Sequence, residues 1–322
     1  MREGEPMPTL LREPTREYRT STMDSHRWDG FQPRADDIVV ATYPKCGTTW
    51  TQRIVDLLIF QSPEPRTFSQ NAPWLDATFF APIEANLATL EAQTHRRSVK
   101  SHMPFDALPL YEGVKYIHVV RDGRDACMSF HNHMLGFRPE IRAAILAGAP
   151  DAGAEPTERM VETPQDPRAF FVQWISGAET DSGVDLSFFE FENTYWRERS
   201  RPNLLFVHYA DLKADLPDEM HRISDFLEIE TPASLMPELV RAASFETMKA
   251  QGESMMPELA MAFDRGADRF INMGTNGRWR GVLTEDDLAR YAALAARKFT
   301  PAEAAWIEHG RLVAGDPRNL PD

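Results

Sequence analysis

Cysteine is scarce in this chain: Cys46 and Cys127 are the only two in 322 residues, which excludes a disulfide framework, and neither sits in a C-x-x-C pair of the metal-binding or redox kind. Long apolar runs are missing too. No stretch approaches the roughly 18 consecutive apolar residues that would suggest a membrane span. The first 35 residues, rich in Arg, Glu, Pro and Thr, lack the apolar core of a secretory signal. A reducing cytoplasm is therefore the expected compartment. Basic residues are outnumbered, 35 to 49, for a formal charge of −14. That imbalance argues against a nucleic-acid partner and repels large polyanions at long range, so a small-molecule acceptor or ligand is expected. A buried anion remains compatible, because a few local Lys, Arg and N–H donors outweigh distant carboxylates at contact range.

What is present is an ordinary globular balance, 42% apolar and 10% aromatic, enough for a large core. Asp36 to Tyr43 is an apolar, β-branched run that reads as a buried strand ending at Pro44. Beyond Gly47, the helical spacing of Trp50, Ile54, Leu57 and Leu58 predicts a helix over about 48–60. Ser98–His102, Val114–Val120 and Leu204–Tyr209 read as further strands, the last followed by a helix carrying Met220, Ile223, Phe226 and Leu227. Such alternation predicts an α/β fold: a central, mostly parallel sheet with helices on both faces, and ligands gathered beyond the carboxyl ends of the strands. One domain is expected over 36–322, after a polar leader at 1–35. A surface loop or lid is expected near 148–166, where Ala, Pro, Glu, Asp and Thr crowd together.

The densest chemistry lies in Thr42-Tyr43-Pro44-Lys45-Cys46-Gly47-Thr48-Thr49-Trp50, at the turn from the first strand into its helix. Amides at a helix N-terminus have no intrahelical partner, the helix dipole adds positive charge, and Gly47 lets the backbone approach an oxyanion. Thr48 and Thr49 add hydroxyls. The unit is P-loop-like but not a Walker A loop, because Lys45 precedes the glycine and no G-x-x-x-x-G-K-[ST] occurs. A plain Thr-capped helix is the structural alternative, and the position directly after a strand argues against it.

Tyr43 to Trp50 resembles the 5′-phosphosulfate loop of sulfotransferases that use 3′-phosphoadenosine 5′-phosphosulfate (PAPS), with Cys46 where that family usually has serine. Val119 to Phe130 resembles the family's 3′-phosphate segment, with Arg121 and Ser129 on its binding positions. Phe270 to Gly281 is similar to the glycine-rich loop that closes over the nucleotide. Gly274, Gly277 and Trp279 match, whereas Asn272-Met273 replaces a usual Arg-Lys pair. Arg278 or Arg280 is then left to compensate. Tyr209, Phe245 and Met248 resemble residues around adenine, where rings and thioethers stack.

Lys100-Ser101-His102-Met103-Pro104 is similar to the family's segment bearing a catalytic histidine. The resemblance, covering roughly residues 30–310, implies transfer of a sulfuryl group from PAPS to a hydroxyl or amine of a small, apolar or aromatic acceptor, releasing 3′-phosphoadenosine 5′-phosphate (PAP). In that reading His102 is general base, Lys45 stabilises charge on the departing phosphate, and Ser129 engages Lys45. The donor-binding set is Lys45, Cys46, Gly47, Thr48, Thr49, Trp50, Arg121, Ser129, Tyr209, Phe245, Met248, Phe270 and Gly274. No metal is expected. His131 and His133 read as exposed helix residues rather than zinc ligands. Phe79, Phe80, Phe105, Phe137, Trp174 and Trp196 supply either core or an apolar pocket. Val282 to Glu285 departs from the segment through which the family often dimerises, so no oligomeric state is implied. The competing readings are a noncatalytic nucleotide-binding protein and, further off, a nucleotide kinase.

Overall fold

Alternation along β2 (Ile38–Ala41) decides how the molecule is layered. In the computed structural model, which describes residues 7–79, 81–147, 162–179 and 186–321, all four residues of this strand are buried. Successive side chains leave opposite faces of a strand. Ile38 and Val40 join one apolar cluster with Ile54, Leu57 and Leu58 of α1 (Thr48–Phe60), whereas Val39 and Ala41 join another with Phe188 and Tyr195 of α3 (Phe188–Trp196). A strand buried on both faces belongs to a parallel sheet sandwiched by helices.

The sheet has four strands in the order β3 (Ser98–Ser101), β2, β5 (Lys115–Val120), β6 (Leu204–His208), and every ladder is parallel. Ala41 pairs with Ser101 on one side and His118 on the other, so β2 and β3 end level, while β5 and β6 run on together to Val120 and His208. Past that edge come the loop from Thr42 into α1, His102, Arg121 leading into α2 (Gly123–Gly136), and Tyr209 opening α4 (Tyr209–Ala214). α5 (Leu216–Phe226) covers the α1 face through Met220 and Ile223. The α/β expectation holds. Among the described residues no helix is long and apolar enough to cross a membrane.

The boundary expected at residue 36 does not mark an edge of packing. β1 (Leu10–Arg12) pairs antiparallel with β4 (Leu110–Tyr111), the Tyr18 hydroxyl donates to Asp106 at 3.0 Å, and Trp28 and Phe31 are buried against each other. Three aromatic residues spread through polar sequence carry too little periodicity to read as an element, yet they anchor the segment to the domain. Of the 148–166 loop or lid, residues 148–161 lie outside the described residues.

The start of β2 is clamped to the start of β3. Arg97, 2% exposed, donates from Nε and a terminal nitrogen to the two oxygens of Asp37, itself fully buried, and Asp37 also accepts from the Arg34 amide. Removing one partner of a buried pair strands the other charge. Asp37→Ala is therefore expected to lower unfolding free energy by about 3–5 kcal/mol in urea titrations, and Asp37→Leu with Arg97→Met to recover most of that loss.

Candidate active site

The turn after β2 is shaped by two residues with positive φ, Lys45 at 70° and Gly47 at 123°. At Gly47, whose φ favours glycine, a side chain would crowd the Tyr209 ring at 3.1 Å and Val119 of β5 at 3.3 Å. α1 starts immediately afterwards, leaving its first amides without helical partners. The Cys46 side chain turns into the core, where burial pushes the thiol well above its ordinary pKa. Its contribution at the loop is confined to the main chain.

Thr42 organises the loop from the strand side. Its hydroxyl lies 2.5 Å from that of Thr48, and its carbonyl accepts from His102 Nδ1 at 2.7 Å. With the Nδ1 proton so placed, Nε2 is the basic nitrogen and has no hydrogen-bond partner among the described residues. Trp74 packs edge-on against the His102 ring at 4.8 Å, and Asp76 holds both the Trp74 indole N–H and the His102 amide. Burial, then the charge of Lys100, keeps His102 well below its usual pKa, so the ring is neutral at physiological pH.

One cavity of about 450 Å³ brings these groups together. Lys45, Gly47, Thr48, Thr49, Trp50, His102, Arg121, Ser129, Tyr209, Phe245, Met248, Phe270 and Gly274 all line it; of the donor-binding set read from the sequence, Cys46 alone does not. The Lys45 ammonium rests over the Phe270 ring at 4.0 Å and 3.5 Å from His133 Nδ1, with no hydrogen bond to Ser129. Arg121 makes no ion pair with Asp122 or Asp125. It lies over the Tyr209 ring at 4.3 Å, donates to the Thr275 carbonyl at 2.7 Å, and keeps its buried Nε unpartnered.

Asp122 instead caps α2 and pairs with Arg124, while Asp125 accepts the Gly277 and Arg278 amides, both at 2.8 Å. Lys213, one helical turn after Tyr209, donates to the Gly274 carbonyl at 2.6 Å. These bonds draw the glycine-rich segment over the cavity. Gly274, at φ 62°, sits against the Phe245 ring where a side chain has no room. Arg278 faces the cavity; Arg280 stacks on Trp279 instead.

Several lining residues carry no role in the sequence reading. His133 is not an exposed helix residue: it is packed among Phe137, Phe263 and Phe270, with its pKa driven well down by burial and by Lys45. His131 is also buried, with Nε2 2.9 Å from the Pro164 carbonyl. The four-residue step from Ser129 to His133, like that from Tyr209 to Lys213, places both members on one helix face, a signal available in the sequence. Lys100 lies over the Trp74 ring at 4.0 Å, and burial lowers its pKa to about 8. Of the aromatic candidates, Phe79 and Phe137 line the cavity, Phe105 and Trp196 are core, Trp174 donates to the Tyr43 hydroxyl, and Phe80 lies outside the described residues. Among the described residues no three His, Cys, Asp or Glu side chains converge as a metal site.

Comparison with known proteins agrees with this architecture. Residues 35–301 match the family model described as the sulfotransferase domain. A glycolipid sulfotransferase from Mycobacterium bovis is 33% identical over 94% of this chain and 96% of its own, and human sulfotransferase 1E1 is 27% identical over 80% and 82%. The crystal structure of mouse sulfotransferase SULT7A1 complexed with PAP superposes with a TM-score of 0.63 at 22% identity, covering 88% of this chain and 89% of that one. From the family match and the 33% identity along nearly its whole length, the chain belongs to the sulfotransferase family of enzymes.

Proposed function

We propose that this enzyme transfers the sulfuryl group of PAPS to a hydroxyl of a small acceptor with a largely apolar body, with His102 as general base. The observation that carries the reading is the hydrogen bond from His102 Nδ1 to the Thr42 carbonyl. It leaves the basic Nε2 in the cavity that Lys45 also lines, and Thr42 is bonded in turn to Thr48 of the phosphate loop.

The residues fit such a donor. The unpartnered Arg121 Nε and the free first amides of α1 suit a phosphorylated nucleotide, and Lys213 and Arg278 stand in for the cations lost at Asn272-Met273. Trp50, Tyr209 and Phe245 offer ring faces for adenine. In the transfer, the acceptor oxygen forms a bond to sulfur as the bond from sulfur to the bridging oxygen breaks. The hydroxyl proton passes to His102 Nε2, and the electron pair left on the departing phosphate is balanced by the Lys45 ammonium. Apolar walls at Phe79, Phe137 and Phe263 suit the acceptor's body, in keeping with a relative named for glycolipids.

His102→Ala is expected to cut turnover of radiolabelled PAPS with pooled acceptors by about 10²–10⁴-fold while PAP still binds. Full activity in both His102→Ala and Lys45→Met would defeat the assigned roles. Retention of the donor by the native protein without any sulfated product would favour the noncatalytic reading.

Lys45 supplies a pH signature. Burial, then the charges of Lys100, Arg121 and Arg278, lower its pKa to about 7. A bound anion favours the ammonium, so the pKa rises in the complex. The contribution of Lys45 to affinity is therefore full below about pH 7 and falls as pH climbs toward the bound-state value, by at most about tenfold per pH unit. Calorimetric titration of PAP should show this decline relative to Lys45→Met, which retains the titrations of the ligand and of Lys100 but not that of Lys45.

A further inference from the structure

Polar groups in the cavity divide unevenly. The cations Lys45, Lys100, Arg121, Lys213 and Arg278 line it, and among the described residues Glu258 is the one carboxylate that does. Glu258 precedes the short helix Leu259–Ala262, between two apolar wall residues, Met256 and Leu259. Among the described residues its carboxylate makes no hydrogen bond or ion pair. Its charge is felt, after that of the buried Asp76, by Lys100, whose ammonium lies over Trp74 beside His102 and has no hydrogen-bond partner among the described residues. Among the described residues an unpaired carboxylate and an unpaired ammonium thus line the same cavity, with Met256, Leu259 and Trp74 beside them.

Leaving both groups unsatisfied in a partly buried wall costs free energy that a bound guest can return. An aliphatic alcohol has one hydroxyl, and His102 takes it. A cationic head is disfavoured, since Lys45 and Lys100 already place positive charge there. Neighbouring hydroxyls of a sugar satisfy the requirement from both sides, donating to the carboxylate and accepting from the ammonium.

Building on the proposed transfer reaction, we infer that Glu258 is a specificity-determining residue that accepts a hydrogen bond from a second hydroxyl of the acceptor, selecting glycosides with an apolar aglycone over simple alcohols. A site made to bond a hydroxyl discriminates strongly against the analogue that lacks it, because its own polar group then stays unpaired.

The test uses the full chain with PAPS and three acceptors of matched tail: n-octyl β-D-glucoside, n-octanol and n-octylamine. The native enzyme is expected to favour the glucoside over octanol by about tenfold or more in kcat/KM. Glu258→Gln should shrink that ratio and Glu258→Leu bring it near unity, with PAP affinity as the check on folding. A ratio unchanged in both variants overturns the inference, as does equal loss on glucoside and octanol. Preference for octylamine that disappears in Glu258→Gln overturns it too, by making the carboxylate a charge trap. Failure to sulfate any acceptor despite normal PAP binding defeats the transfer reading itself, and the inference with it.

Discussion

Thr42 is the residue on which the site depends. As the first position beyond β2 it offers a carbonyl to the His102 imidazole and a hydroxyl to Thr48, so one backbone position sets the tautomer of the candidate base and the seat of the phosphate loop. The parallel ladder between β2 and β3 makes this contact available, because Ala41 stands opposite Ser101 and the next residues, Thr42 and His102, leave the sheet side by side. The buried Asp37–Arg97 pair fixes the same two strands at their opposite ends. Sheet register therefore sets the candidate base beside the loop that opens α1.

Charge follows the same local logic. The chain carries a net charge of −14, yet its cavity gathers five cations, and Lys45 and Lys100 are pushed toward neutrality by burial and, for Lys45, by the other cations. A site that crowds partly discharged amines is ready for an anion in a way that the surface average conceals. Aromatic rings and aliphatic side chains such as Met256 and Leu259 make much of the remaining wall apolar, so desolvation strengthens each polar interaction made with a guest.

Much of this was legible in the sequence because strand ends announce themselves. A buried apolar run that breaks into Pro-Lys, His-Met-Pro or Arg-Asp marks the carboxyl edge of a parallel sheet, and that is where Lys45, His102 and Arg121 stand. The N-terminal segment was illegible for the opposite reason: Tyr18, Trp28 and Phe31 are anchors without periodicity. His133 was misread as solvent-facing because α2 is buried on more than one side, its polar residues turning toward a cavity rather than water. Glu258 belongs to no motif, and only the closing of the chain around the cavity shows what it faces.

The glycine-rich segment is stitched down by groups that also look onto the nucleotide side of the cavity: Arg121 holds the Thr275 carbonyl and Lys213 the Gly274 carbonyl, while Asp125 grips two amides from below. Uncovering the cavity therefore means loosening the same cations that attract a phosphate. Departure of a spent nucleotide and loosening of its cover thereby draw on the same two side chains, Arg121 and Lys213.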